Sequence, residues 1–309
     1  MQRKSAARLA FLALLGGATG IGFAPIFVRL SEVGPSATAF YRILFALPVL
    51  WSLSRFEPAA RRSARPGSVP GKSEPEVWAE ERTRHRWWCI VAGAFFAGDL
   101  AFWHWSIKLT SVANSTLLTN CAPFFVMIGA RLLFQEKITW LLVTGMLIAL
   151  VGAALLVGGS LQLAATHLRG DLLAFITAGF YAGYLLTVKH LRRSLPTARI
   201  LAWSGSVSCG LLLLIAYLSH ESIQVSSLHG WMVLLGLGVI SHLGGQGLIT
   251  YALAHLPAGF SSVSLLLQPV VAAFLAWLIL AEPLVASQAA GGTIILAGIA
   301  LASLNPRPS

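Results

Sequence analysis

Long apolar runs alternate with short polar punctuation along the whole chain. The runs lie near 9–28, 36–54, 87–107, 112–133, 139–158, 171–189, 198–219, 231–253, 259–280 and 285–304. Each is close to the ~20 apolar residues that a membrane-crossing helix needs. In lipid the backbone must satisfy its own hydrogen bonds, so runs of this length predict helices. The first run is too long for the apolar part of a signal peptide and nine more follow it, so it reads as a retained first helix. One polar stretch, 55–86, breaks the rhythm. It carries Pro66, Gly67, Pro70 and Gly71 and the mixed charges Glu74, Glu76, Glu80, Glu81, Arg82 and Arg84. It predicts a loop, helical in part towards its end.

The second half repeats the first at a constant offset of 146 residues. Gly98 matches Gly244, Ser115 matches Ser261, Pro123 matches Pro269 and Glu136 matches Glu282. Gly145, Ile148 and Gly152 match Gly291, Ile294 and Gly298. Repeats inside a membrane domain mark transporters. Five runs per half is an odd number, so the second copy is expected upside down. The predicted fold is all-α: ten transmembrane helices in two inverted five-helix repeats, 1–158 (with the 55–86 loop) and 159–309.

Composition agrees. Hydrophobic residues make up 56% and charged residues 11%, against about 25% charged in soluble domains, and the mean hydropathy is +0.76. The net charge of +11 is topological rather than a nucleic-acid footprint, because the cations sit between apolar runs. With the N-terminus in the cytoplasm, eighteen Lys and Arg fall on inner segments, while Arg29, Lys108 and Arg169 fall on outer ones and Arg42 lies inside a run. That bias predicts both termini in the cytoplasm. Cys89, Cys121 and Cys209 lie in apolar runs without CxxC spacing and read as buried hydrophobes. The small-residue patterns Gly16-x-x-x-Gly20 and Gly244-Gly245-x-Gly247 predict close helix approach.

A charge within lipid costs at least ~2.5–3.5 kcal/mol at mid-helix, so each one needs a reason. Asp99 lies near the middle of its run, with Phe95, Phe96, Phe102, Trp103 and Ser106 as helical neighbours. A carboxyl on an aromatic face can bind an amino group, carry a proton, or only bond neighbouring helices. Arg42 lies about 10 Å deep at 1.5 Å per residue; it can snorkel or clamp a carboxylate. His242, with Gly238, Gly245 and Gln246 on its face, is either a proton relay or a buried hydrogen-bonding group. Three polar stripes follow helical spacing: Thr177, Tyr181 and Tyr184; Thr116, Asn120 and Pro123; and Ser261, Ser264 and Gln268. They predict a wet central cavity or interhelical hydrogen bonds. Pro123 and Pro269 break the backbone ladder at matching places, a pointer to a transport pathway. The candidate substrate-binding residues are therefore Asp99, Trp103, Tyr181, Tyr184, His242 and Gln268, with Arg42 and Asn120. No catalytic residue, metal site or cofactor is expected, since HExxH, GxSxG and the Walker motif GxxxxGK[ST] do not occur.

The segments Pro123 to Thr139 (PFFVMIGARLLFQEKIT) and Pro269 to Pro283 (PVVAAFLAWLILAEP), each with thirteen residues from Pro to Glu, together with Phe40-Tyr41-Arg42, resemble the EamA-type transporters of the drug/metabolite transporter superfamily. The 55–86 loop is longer than that family leads one to expect. The resemblance implies a multi-pass carrier of the bacterial inner membrane, often an exporter of amino acids, nearest in kind to aromatic and neutral amino-acid exporters. It implies a cavity lined by spans one to four and six to nine, with spans five and ten packed outside. Glu136 and Glu282 would cap the helices that follow them. The expected activity is secondary transport of small metabolites by alternating access, in the bilayer and without nucleic acid. One chain holds the complete pathway, and association of chains is left open. The rival readings are a channel, a non-transporting scaffold or, more remotely, a membrane enzyme.

Overall fold

The computed structural model describes residues 2–57, 74–110, 112–157 and 167–304. The Pro66 to Gly71 stretch and Arg307 lie outside the described residues. Among them the chain is helical throughout, with no strand. The first span is α1 (Gln2–Gly22) and α2 (Ala24–Leu30); the second is α3 (Pro35–Leu44) and α4 (Leu47–Phe56). The third is the inner part of α5 (Glu74–Leu109), whose start supplies the expected helical end of the polar stretch. The fourth is α6 (Val112–Thr119) and α7 (Ala122–Phe134), and the fifth is α8 (Trp140–Val157). In the second half, α9 (Leu168–Leu191) and α10 (Thr197–Leu218) are continuous. The eighth span runs α11 (Leu228–Gly236), a π-helical segment Leu237–Gln246, then α12 (Gly247–Ala252). α13 (Ala258–Ser264), α14 (Leu267–Leu280) and α15 (Ala286–Ser303) complete the chain.

Continuous runs in the sequence thus become broken helices. Pro25, Pro48 and Pro123 each fall in the first turn after a break, and Pro269 is the third residue of α14. Proline lacks an N–H and its ring clashes with the preceding turn, so the ladder stops just before it. Pro123 and Pro269 were expected to do this; Pro25 and Pro48 do the same in the first two spans.

The inversion can be read from one helix pair. α8 and α15 occupy matching positions in the repeats, and their first residues, Trp140 and Ala286, are 146 residues apart. A Cβ on Gly145 would lie 2.6 Å from the Gly298 carbonyl, and one on Gly152 would lie 2.7 Å from that of Gly291. The early residue of one helix meets the late residue of the other, so the two run antiparallel. Each contact maps onto the other under the repeat, which is a local two-fold axis. Glu136 and Glu282, just ahead of these helices, therefore stand at opposite membrane faces. The turns carrying them match too: Gln135 and Ala281 both end their helices in the left-handed region, at φ 57° and 54°.

Carboxylates tie the halves together. Glu57, after α4, accepts from the backbone N–H of Ala198 at 2.8 Å. Glu221, after α10 in the other half, accepts from the N–H groups of Ser36 at 2.7 Å and Ala37 at 3.1 Å. Glu32 takes the hydroxyls of Ser227 and Ser226, which hold its carboxyl below the usual range. Glu136 does not cap the helix that follows it, as had been expected. It accepts from Ala258 N–H at 2.9 Å and Gly259 N–H at 3.3 Å, at the start of α13 in the other half. The turn geometry after Gln135 aims the carboxylate across the repeat boundary rather than along its own chain. Close approach of α1 to the π segment uses Gly17, Gly20 and Gly245, where a Cβ on Gly17 would lie 2.8 Å from the Gly245 carbonyl. Gly16 and Gly244 of the expected patterns stand clear of such backbone contacts.

Candidate substrate cavity

The helix breaks converge on a cavity of about 900 Å³ between the halves. Arg42 reaches it from the last turn of α3, just before a break, and Asn120 from the break between α6 and α7. Gln268 reaches it from the first turn of α14, and Gln246 from the end of the π segment. Asp99 and Trp103 come from the unbroken α5, and Tyr181 from α9. Irregular backbone at membrane depth is tolerated where it lines such a space. The cavity continues to Arg29, Ala276 and Gln288, on the Glu282 side. On the Glu136 side, buried Met127, Ala130, Leu185, Val188, Phe260 and Val263 fill the interior.

Six of the eight candidates line this space: Arg42, Asp99, Trp103, Asn120, Tyr181 and Gln268. Tyr184 and His242 stand one layer behind it, both 1% exposed. Tyr184 stacks on Phe96 at 4.7 Å, and Phe96 lies 5.7 Å from the His242 ring. Tyr184 also accepts a hydrogen bond from Gln246 Nε2 at 3.2 Å. Gln246 entered the sequence reading only as a neighbour of His242, yet it is fully buried and lines the cavity. Its signal was there in the sequence: an amide four residues past a mid-span histidine. Two expected stripes resolve differently. Thr177 donates to Leu173 O, while Ser261 and Ser264 donate to carbonyls of their own helix. Each such hydroxyl bonds back one turn, which satisfies it locally. Spans five and ten pack on each other outside the core, but Leu156, Val157 and Gln288 at their ends reach the cavity mouth.

Arg42 and Asp99 are each only 8% exposed, and among the described residues no ion pair joins them. Four buried polar atoms of the lining make no hydrogen bond among the described residues: Arg42 Nε, Asn120 Nδ2, Gln246 Oε1 and Gln268 Nε2. Buried polar groups are normally paired. Here four residues of one lining each carry an unpaired buried donor or acceptor. A separate groove of about 360 Å³, lined by Leu50, Phe56, Leu201 and Leu243 among others, shares no residue with the cavity.

A polytopic helical bundle with inverted halves and helices broken around a cavity defines the class: a membrane transporter. The EamA-like transporter family matches the chain twice, at residues 8–158 and 168–304, and the chain belongs to that family. It is 27% identical over 207 residues to the pseudopaline exporter CntI of Pseudomonas aeruginosa, covering 67% of this chain and 71% of that one. It is 25% identical to a riboflavin transporter of Brucella anthropi, over 52% of this chain and 57% of that one. A solved crystal structure superposes with a TM-score of 0.71 over 97% of this chain and 98% of its own, at 19% identity, which speaks to the fold.

Proposed function

We propose that this transporter is a secondary carrier that exports small zwitterionic metabolites of the amino-acid class by alternating access. The observation that carries the reading is the pair Arg42 and Asp99, buried in one cavity yet not joined to each other. A guanidinium matches a carboxylate in planar, bidentate geometry, and a carboxylate matches an ammonium. A substrate bearing both would neutralise both buried charges at once. Asn120, Gln246 and Gln268 add amide donors and acceptors, and Trp103, Tyr181 and Phe96 supply an aromatic wall for a side chain. Tyr184 orients Gln246, and His242 backs the wall. Export is favoured by the similarity to a protein named as an exporter.

The repeats 1–158 and 159–309 are the units that rock about this site. The setting is a bacterial inner membrane with both termini in the cytoplasm, supported by the Lys and Arg bias. In proteoliposomes, radiolabelled neutral and aromatic amino acids should move down a gradient and compete with one another. If no amino acid or related zwitterion moves, the substrate reading is wrong. Sidedness has its own test. A cysteine at Leu284 should react with an impermeant maleimide on intact cells, and one at Lys137 only after permeabilisation; both positions are exposed. Labelling of both from the same side would contradict the inversion.

A further inference from the structure

α4 ends and α10 begins on the Glu136 face of the bundle, where Glu57 meets Ala198. A tryptophan from each helix meets the other there. Trp51 of α4 and Trp203 of α10 pack edge to face, with ring centroids 5.3 Å apart at 68°. Trp51 Nε1 donates to Ser206 Oγ at 3.3 Å, which fixes its ring. Both rings are half-buried. Tryptophan near the end of a span marks the level where hydrocarbon gives way to headgroups.

Three arginines, from three helices, surround this pair. Arg86 of α5 holds its Cζ 5.5 Å from the centre of the Trp203 ring, within cation–π range. Arg55 follows Trp51 by four residues on α4, and Arg199 precedes Trp203 by four on α10. Residues four apart share a helix face and stand about one turn apart. Given the directions of α4 and α10, both arginines lie one turn nearer to water than the tryptophans. Arg55 and Arg86 are exposed and Arg199 is half-buried. Among the described residues no carboxylate pairs with any of the three. Glu57 is taken by the Ala198 N–H at 2.8 Å, and Glu81 pairs with Arg84 at 3.7 Å. Other cations of this face do have partners. Lys189 lies 3.6 Å from Glu136, and Arg192 donates to the carbonyls of Thr250 and Leu195. A topological bias asks only for cations in the loops of one face. It does not ask for three guanidinium groups to converge at one depth over one aromatic pair.

We propose that Arg55, Arg86 and Arg199 form a binding site for the phosphate of an anionic phospholipid, with Trp51 and Trp203 as its floor. The guanidinium fork takes two phosphate oxygens at once. An anionic leaflet attracts basic side chains held at its surface. The indole rings sit where the glycerol and first methylenes of such a lipid lie, and the arginines sit where its phosphate lies. A lipid held here bridges α4 and α5 of the first half to α10 of the second. None of the five residues lines the cavity, so the site is independent of the substrate reading.

The test titrates the detergent-purified full chain with radiolabelled phosphatidylglycerol, with phosphatidylcholine and inorganic phosphate as competitors and no substrate present. Binding of phosphatidylglycerol should saturate, and phosphatidylcholine should compete poorly. Arg55→Gln, Arg86→Gln and Arg199→Gln should each weaken it roughly fivefold, and the triple variant should lose the preference for phosphatidylglycerol over phosphatidylcholine. Arg131→Gln and Lys137→Gln remove exposed cations of the same face, at the end of α7 and just after it, and should leave binding unchanged. Arg55→Gln and Arg86→Gln alter exposed side chains, so they decide the matter if the half-buried Arg199→Gln folds poorly. Equal competition by phosphatidylcholine overturns the proposal. So does an equal loss in Arg131→Gln or Lys137→Gln, which would mean a diffuse basic face, or displacement by inorganic phosphate, which would mean a site for the free anion. Since no substrate is present, failure of amino-acid flux leaves the lipid site standing, and failure of lipid binding leaves the transport reading standing.

Discussion

Replacing Arg42 with alanine should abolish transport of the proposed amino-acid substrates while leaving the protein folded in the membrane. The guanidinium is buried beside Asp99 in one cavity. Truncating one partner of a desolvated charge interaction costs about 2–5 kcal/mol, or about 30-fold to several thousandfold in affinity. Arg42→Lys should recover part of the loss, because an ammonium keeps the charge but not the planar fork. Asp99→Asn should cost a similar amount for a different reason, by removing the anion that faces the substrate's ammonium. The two variants are told apart by analogues. Arg42→Ala should discriminate less against the decarboxylated amine, and Asp99→Asn less against the deaminated acid. The measurement is competition against a labelled amino acid in proteoliposomes. Equal loss towards every analogue in both variants would reduce the two residues to packing roles and remove the zwitterion from the account.

Gly298→Leu destabilises the fold more than any surface change. A Cβ at this position would lie 2.5 Å from the Gly145 carbonyl and 2.7 Å from the Ala149 nitrogen. Those are backbone atoms and cannot turn aside as a flexible side chain would. Overpacking of this kind costs about 1–3 kcal/mol, and more where nothing can yield. Thermal unfolding in detergent should show a clear downward shift, and size-exclusion chromatography a loss of the monodisperse peak. Gly210→Ala is the matched control. Nothing lies within 4 Å of a Cβ there, and alanine gains up to about 1 kcal/mol of helix propensity over glycine. A Gly298→Leu protein as stable as Gly210→Ala would mean that α8 and α15 are not packed as described.

Much of this architecture is legible in the residues, because lipid leaves few choices. Length and hydropathy place the spans, and the 146-residue match, with five runs per half, implies the inversion that Gly145 and Gly298 then display. The breaks were only half legible. Pro123 and Pro269 attract notice because they repeat, whereas Pro25 and Pro48 have no such echo, although the ring acts on the helix in the same way. The π segment has no pattern of its own. It is one extra residue per turn, set by how Gly238 and Gly245 let α3 and α1 press against it. Among the site residues, charge marked Arg42 and Asp99, since an unpaired charge in lipid is costly wherever it lies. Hydroxyls misled, because Thr177, Ser261 and Ser264 satisfy themselves on the preceding turn. Glu136 was placed correctly at a junction but given the wrong helix, for spacing along a chain cannot say which distant backbone a carboxylate will meet.

The length of α15 has a bearing on the lipid. It has 18 residues, about 27 Å at 1.5 Å per residue, slightly less than the ~30 Å hydrocarbon thickness of an average bilayer. A helix that short has no slack for tilting, so it should stand close to the bilayer normal and draw the surrounding acyl chains inward. Reconstitution in lipids of increasing chain length should therefore slow transport steadily, as thicker membranes stretch past this peripheral helix.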